Sequence, residues 1–495
     1  MGRATLGAAA CAAVLCVAPG AHANGRFPAS NQIVFSPASP GDIVVRTTFG
    51  IIFSSDAAAT WRWLCEDTLG LPPTSNEDPY LGVTGNGSVV AGLSLGLEVS
   101  ANGGCDWSAA GGPLAGQLIK DLDVRKDNPH AVDLITSTFG PMAGSDGGPG
   151  YAQQTYESTD DGAHFTAFGA PIDPSAIVTT VDIAPSDPAR VYVSAFRGPG
   201  AGRTASLFVS KDKGATWVEH PAPLDPASET ALYIGAVDPT NPDVVYLRSE
   251  GNSRLSYTRD GGQTFQVMPA LADQMLGLAL SQDGSKIYIG GVATGLRVAP
   301  TATMAFAQVS ALHIQCLATH GADLWACSDE VSGFVAGVSQ DDGKSFTPKL
   351  HLLGIEGPIA CGAKATAAQC TAWDTSGGAF YNPFVGLCAN LGACYDGGPA
   401  APLTSECFCT GACSAAASSA ASDYNAAAVC PSGSSGSGSS GGAAGAASKS
   451  SGGCSVIEGG GAFGAVAGGA ALVFTALSLR RRRRGGRASR RRDAR

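Results

Sequence analysis

The chain has 495 residues, 44% of them hydrophobic and 15% charged, which excludes a wholly disordered chain, a coiled coil and a charge-rich helical bundle. Gly 67 and Pro 29 together make about 19% of the chain and favour turn-rich β structure. The formal charge of −10 hides an asymmetry: the last sixteen residues hold ten Arg and one Asp, and without them 21 basic residues face 40 acidic ones, net −19. So acidic a body repels phosphates and excludes nucleic acid as a partner.

Residues 1–23 read as a secretory signal peptide. Arg3 precedes an apolar run from Ala4 to Ala18, and Ala21-His22-Ala23 supplies the small-residue cleavage site.

From 31 to 354 the chain repeats itself. An eight-residue box, S/T-x-D-x-G-x-T/S-W/F, is clearest at Ser210-Lys211-Asp212-Lys213-Gly214-Ala215-Thr216-Trp217. Close copies centre on Asp260 with Phe265 and on Asp341 with Phe346; Asp160 with Phe165 has His164 in place of the Thr. The copy at Asp56 and Trp61 lacks the Gly, and the copy at Asn102 and Trp107 has Asn for Asp. A seventh position, Ala299 to Phe306, is eroded. The third residues of the boxes (56, 102, 160, 212, 260, 301 and 341) lie 46, 58, 52, 48, 41 and 40 apart, one four-stranded propeller blade per repeat. Two short β runs joined by a turn precede each box, as in Val181–Ala184, Pro185–Pro188 and Val191–Ser194. The spacing predicts an all-β, seven-bladed β-propeller. In the box, the Gly is expected to take a positive φ, the Ser and Asp to hold the turn, and the aromatic residue to pack between sheets. The box carboxylates are therefore expected to be structural.

The boxes resemble the Asp boxes of BNR repeats. That motif occurs in sialidases, xyloglucan-active glycosidases, sortilin-like receptors and photosystem assembly factors, so the resemblance implies an architecture and no single activity. A sialidase would need a Tyr nucleophile backed by Glu and a FRIP-like segment at the first repeat; that segment is missing and the arginines do not follow the family pattern.

With strands a to d running outward, the box is the c–d turn and shares a face with the a–b turns. Ligands are expected on the opposite face, at the b–c and d–a connections. Two b–c loops there are long, Thr138 to Gly150 with Asp146 and Phe196 to Thr204. Arg46, Arg197, Arg203, Arg248, Glu250 and Arg254 fall in or beside these connections, with Asp329 and Glu330. One reading is a pocket in which Arg clamps an anionic glycan; the other is a set of solvated loop residues on an acidic shell. No nucleophile–base pair, cofactor motif or metal-ligand spacing stands out, so no catalytic, cofactor-binding or metal-binding residue is expected.

Beyond the signal peptide and Cys454, twelve cysteines remain: Cys65, Cys105, Cys316, Cys327, Cys361, Cys370, Cys388, Cys394, Cys407, Cys409, Cys413 and Cys430. An even number in an exported chain reads as disulfides. Cys316–Cys327 and Cys361–Cys370 are the expected local pairs, with Cys65–Cys105 a third. Residues 355–413 read as a Cys-rich cap and 414–453 as a flexible Ala/Ser/Gly stalk. Gly459 to Leu479 carries no charge, spans a bilayer in length and runs into Arg480–Arg484. Preceded by Gly453-Cys454-Ser455, this tail over 454–495 resembles the MYXO-CTERM sorting signal of myxobacterial surface proteins. The resemblance implies processing at Cys454, with lipid attached there. The expectation is a monomeric, non-catalytic binding or scaffold propeller at the outer cell surface, its partner a glycan or protein on the b–c loop face. The alternative is a glycoside hydrolase of a BNR-repeat family.

Overall fold

A computed structural model describes residues 28–71, 75, 77–140, 150–251 and 253–370. The signal peptide, Asp146, the cysteines beyond 370, the stalk, Cys454 and the sorting tail lie outside them. No helix among the described residues is long and apolar enough to cross a membrane.

The repeats fold into seven antiparallel four-stranded sheets, each in the order a-b-c-d. Blade 1 comprises Ser30–Phe35, Ile43–Thr47, Gly50–Ser54 and Trp61–Leu64; blade 2, Tyr80–Val83, Val89–Leu93, Gly96–Ser100 and Ser108–Ala109. Blade 3 comprises Ile119–Val124, Val132–Gly140, Gly150–Ser158 and Thr166–Phe168; blade 4, Ile177–Ile183, Val191–Arg197, Thr204–Ser210 and Val218–Ala222. Blade 5 comprises Ala231–Val237, Val245–Glu250, Leu255–Thr258 and Gln266–Val267; blade 6, Gly277–Leu280, Lys286–Gly291, Gly295–Pro300 and Ala307–Ser310. Blade 7 comprises Cys316–His320, Asp323–Cys327, Ala336–Ser339 and Thr347–Leu350. The a strands of successive blades neighbour one another and ring a central channel. The expected seven-bladed propeller of four-stranded blades is therefore present.

Alternating side chains on each strand face the blades on either side, so the core is a ring of apolar layers between sheets. Val178, Val193 and Phe208 of blade 4 meet Ile135 of blade 3, and Leu207 and Val209 meet Leu232 and Ile234 of blade 5. Each a strand also presents an edge of unpaired backbone groups to the channel. Side chains of a neighbouring blade satisfy several of them. Gln32 takes both the N–H and the C=O of Leu81, Asp121 accepts from Val181 N (3.0 Å), and Thr180 accepts from Ile234 N (2.9 Å).

The boxes are the c–d turns. In blade 4 Ser210 Oγ accepts from Gly214 N (2.7 Å), Asp212 Oδ1 accepts from Thr216 N (2.8 Å), and Thr216 Oγ1 donates to Asp212 Oδ2 (2.7 Å). The same set recurs around Asp56, Asp160, Asp260 and Asp341. In blade 2 the chemistry is exchanged: Asn102 Nδ2 donates to Asp106 Oδ2 at 2.8 Å. The eroded turn of blade 6 is closed by Met304 N on Pro300 O and by Thr301 Oγ1 donating to Gly284 O. Indole N–H groups tie boxes to the blade before them, Trp61 to Lys349 O (2.7 Å) and Trp217 to Ala170 O (2.8 Å).

The ring closes without a shared blade. Phe35 of blade 1 stacks on His320 of blade 7 at 4.4 Å. The chain then leaves blade 7 and adds Ile355–Pro358 as a fifth, parallel strand outside Trp61–Leu64. Two disulfides fasten this strap, Cys65–Cys370 to blade 1 and Cys105–Cys361 to blade 2. Cys316–Cys327 joins neighbouring strands of blade 7. The expected pairs Cys361–Cys370 and Cys65–Cys105 are thus corrected. Proximity in sequence misled because the strap runs along the outer edge of blade 1 and brings two distant cysteines to the ends of blades 1 and 2. The start of the expected cap, Ile355 to Cys370, is this strap.

Ala58 stands where the five other recognisable boxes have Gly and takes φ 67°, a left-handed conformation that costs a Cβ-bearing residue about 1 kcal/mol. Ala58→Gly should raise the unfolding free energy by about 1 kcal/mol in urea titration. An unchanged or lower midpoint would contradict the assigned turn.

Candidate functional site

Most of the arginines expected to form one ligand face are engaged by neighbouring groups. Arg197 at the end of strand b in blade 4 pairs with Asp173 Oδ2 (2.9 Å) and with Glu219 of strand d, and covers Phe208. Arg254 forms a two-pronged pair with Glu229 at 2.5 and 2.6 Å, and the Glu229 carboxylate is wholly buried. Arg46 bonds Asn31 Oδ1 (2.6 Å) and Pro79 O (3.0 Å). Arg203 is half-buried, lies over Phe196 and donates to Thr230 O (2.8 Å). Asp329 caps a short turn by accepting from Ser332 N, and Glu330 accepts from Leu352 N. These groups brace loops. The Phe196–Thr204 loop is also shorter than expected, because strands b and c extend to Arg197 and Thr204.

Arg248 differs. Its guanidinium stacks over Tyr233 at 5.3 Å, its single described hydrogen bond is to Met275 O at 3.3 Å, and it forms no ion pair among the described residues. Burial holds its pKa below the ordinary guanidinium value. Tyr233, Glu250, Asp121 and Tyr80 all lie within its electrostatic range. Tyr80, Lys120, Asp121 and Tyr233 are on a strands of blades 2, 3 and 5, and Arg248 and Glu250 on strand b of blade 5. The structure thus assembles a polar cluster at the b–c end of the channel. Glu250 accepts from Thr230 Oγ1 (2.6 Å) and from the Tyr233 hydroxyl (3.2 Å).

Local backbone irregularity helps build it. Strand a carries one extra residue opposite strand b in blades 1, 3, 4 and 5, at Asn31, Lys120, Thr179 and Gly235. Such bulges re-aim side chains. Asn31 and Thr179 spend theirs on neighbours: Asn31 on Asp78 and Arg46, Thr179 on Ser194 and Leu232 O. Lys120 has no described hydrogen bond or ion pair, and burial lowers its pKa. The signal was present in sequence as Ile119-Lys120-Asp121-Leu122-Asp123-Val124, a run carrying three charges on an innermost strand.

A second charged feature crosses blade 3 toward the a–b turn. Asp123, Asp133 and Glu157 stand directly opposite one another on strands a, b and c. Arg125 bonds Glu157 (2.8 Å) and Asp127 (2.6 Å) and reaches Asp133 only at 3.8 Å; Lys213 of blade 4 donates to Glu157 (2.7 Å). Asp133 is fully buried and neither carboxylate oxygen has a hydrogen-bond partner. Desolvation first, and the Glu157 charge second, push its pKa up to about 8. Desolvation likewise raises Asp121 to about 7 and Asp123 to about 6. The box carboxylates are shifted the other way: the side-chain hydrogen bond from residue i+4, then its backbone N–H, hold Asp160, Asp260 and Asp341 at about 2. No group of His, Cys, Asp and Glu among the described residues has the arrangement of a metal site.

No protein-family model and no curated protein matches the chain. Among solved structures it is similar to the GH74 enzyme of Niastella koreensis, at 13% identity over 64% of this chain and 71% of that one, TM-score 0.26. Kuenenia stuttgartiensis hydrazine synthase matches at 11% identity over 62% and 95%, TM-score 0.43. An ancestral GH74 enzyme matches at 17% identity over 67% and 38%, TM-score 0.33. None reaches a TM-score of 0.5, and the fold assignment rests on the strand topology itself.

Raised carboxyls favour the protonated native state, so their contribution is present below the unfolded value near 4 and is lost as pH rises toward 8. The box carboxylates contribute above about 4 and lose their contribution as pH falls toward 2. Thermal stability should therefore peak near pH 5 and decline by pH 8.5. Asp133→Asn, a neutral isostere, should flatten the alkaline decline and raise Tm at pH 8 by roughly 3 °C in scanning calorimetry. A lower Tm at pH 8 would contradict a protonated Asp133.

Proposed function

We propose that the chain is an exported binding propeller of the BNR-repeat type, displayed as a monomer at the outer cell surface by its C-terminal tail. It acts without catalysis or cofactor and takes a glycan through the b–c end of the channel. The observation that carries the reading is the contrast between arginines. Arg46, Arg197 and Arg254 are consumed in bracing loops, whereas among the described residues Arg248 has one long hydrogen bond and Lys120 none. Unspent donors on a rigid scaffold are what a recognition site needs. Three disulfides suit an oxidising compartment, and the signal peptide and sorting tail read from the sequence point to the same address.

A glycoside hydrolase needs one carboxyl free to protonate the leaving group and a second free to attack or to activate water. Asp121 is a carboxyl of this cluster held near neutrality, which is what favours the hydrolase as the second reading. Against it, Asp121 already caps the inner strand of blade 4, and Glu250 is held by Thr230 and Tyr233.

The test exposes purified full-length protein to an array of acidic and neutral oligosaccharides and analyses the bound material by mass spectrometry. Retention with every probe intact is expected. Release of shortened probes, abolished in Asp121→Asn, would replace this reading with the hydrolase.

A further inference from the structure

We infer that the b–c end of the channel is a receptor for the carboxylate of an acidic sugar, held between Lys120, Arg248 and the Tyr80 hydroxyl. This rests on the binding reading above and names its ligand.

Three donors from three blades share this cluster, and among the described residues they have a single hydrogen bond between them. Lys120 has no described partner, Arg248 has one long bond to a carbonyl, and the Tyr80 hydroxyl has none. Their placement is built into the fold. Lys120 is the extra residue of the inner-strand bulge in blade 3, and the equivalent residues in blades 1 and 4 have partners where Lys120 has none. Arg248 is fixed in orientation by the Tyr233 ring beneath it, and its fork makes one described hydrogen bond, the long one to Met275 O.

The local charge balance selects the ligand. Lys120 and Arg248 carry two positive charges and Glu250 one negative. Asp121, shared by the whole cluster, keeps its proton through part of the neutral range. One positive charge is left over, which suits a monoanion and disfavours a dianionic phosphate beside two carboxyl groups. A planar carboxylate matches the guanidinium fork. Glu250 and the two tyrosines offer the mixed acceptors and donors that sugar hydroxyls use.

Binding is then linked to protons. The groups facing Asp121 are Lys120 and Asp123 on its own strand, Tyr80 of blade 2, Asp182 and the Val181 amide of blade 4, and Arg248 of blade 5. An arriving carboxylate keeps the proton on Asp121, and ionisation of Asp121 repels it. Affinity should fall as pH rises through about 7.

The experiment is calorimetric titration of the full chain with tri-galacturonate, with neutral tri-galactose, with a sulfated galactose trimer and with inorganic phosphate, at pH 6 and pH 8. Tri-galacturonate should bind, more weakly at pH 8, and the other three should bind at least tenfold more weakly. Lys120→Gln and Arg248→Gln should each weaken tri-galacturonate binding roughly tenfold or more, while Arg203→Gln leaves it unchanged. Asp121→Asn should remove the pH dependence. Tm of each variant checks that the ring is intact, and Arg248→Lys separates loss of the fork from loss of charge. Equal binding of the neutral trimer, no binding of the acidic one, or full affinity in Lys120→Gln and Arg248→Gln would overturn the inference. Preference for the sulfated trimer would move it to another oxyanion and refute the carboxylate. Cleavage of a probe with its Lys120 and Arg248 dependence intact would sink only the non-catalytic reading.

Discussion

Open sheet edges govern this architecture. Seven radial sheets present seven inner edges to the channel and seven outer edges to solvent, and an unsatisfied edge is both costly and adhesive. The inner edges are met from the side, by Gln32, Asp121 and Thr180 reaching to the next blade and by Thr319 reaching back to Leu280 O. On the outside, the strap Ile355–Pro358 covers blade 1, where the ring must close, and its two disulfides fix it across blades 1 and 2. These bonds close sequence separations of 305 and 256 residues and are the longest covalent cross-links among the described residues.

The same edge problem produces the candidate site. A bulged inner strand can pass a side chain either to its neighbour or to the channel. Blades 1 and 4 use theirs internally, and blade 3 presents Lys120. Asp121, the next residue, both caps Val181 and sets the charge of the channel mouth. Architecture and the proposed recognition therefore share one short segment, and the box turns on the far face hold hairpins in shape and tie them to the preceding blade.

The fold was legible because its signals are local. A box of eight residues carries its own hydrogen bonds, so its spacing alone reports the blades. Even the altered copy at Asn102 keeps the turn by exchanging roles with Asp106. Ring closure was not legible, because the contacts of Phe35 with His320 and of Cys65 with Cys370 join the two ends of the ring. The site was half legible. Arg248 and Glu250 were singled out by position at the end of strand b, as were Arg197 and Arg254, whose partners Glu219 and Glu229 lie on elements that a linear reading does not bring near. Lys120 and Asp121 were not legible because loop length and position carry no signal for strand a, which lines the channel.

Hydrogen exchange followed residue by residue tests the closed ring most directly. Leu81, Val181 and Ile234 carry amides on the channel edge, bonded only to side chains of the adjacent blade. They should exchange as slowly as Val193, an amide inside a blade. Exchange of those three at the rate of free edge amides, with Val193 still protected, would show blades that fold but do not lock into a ring.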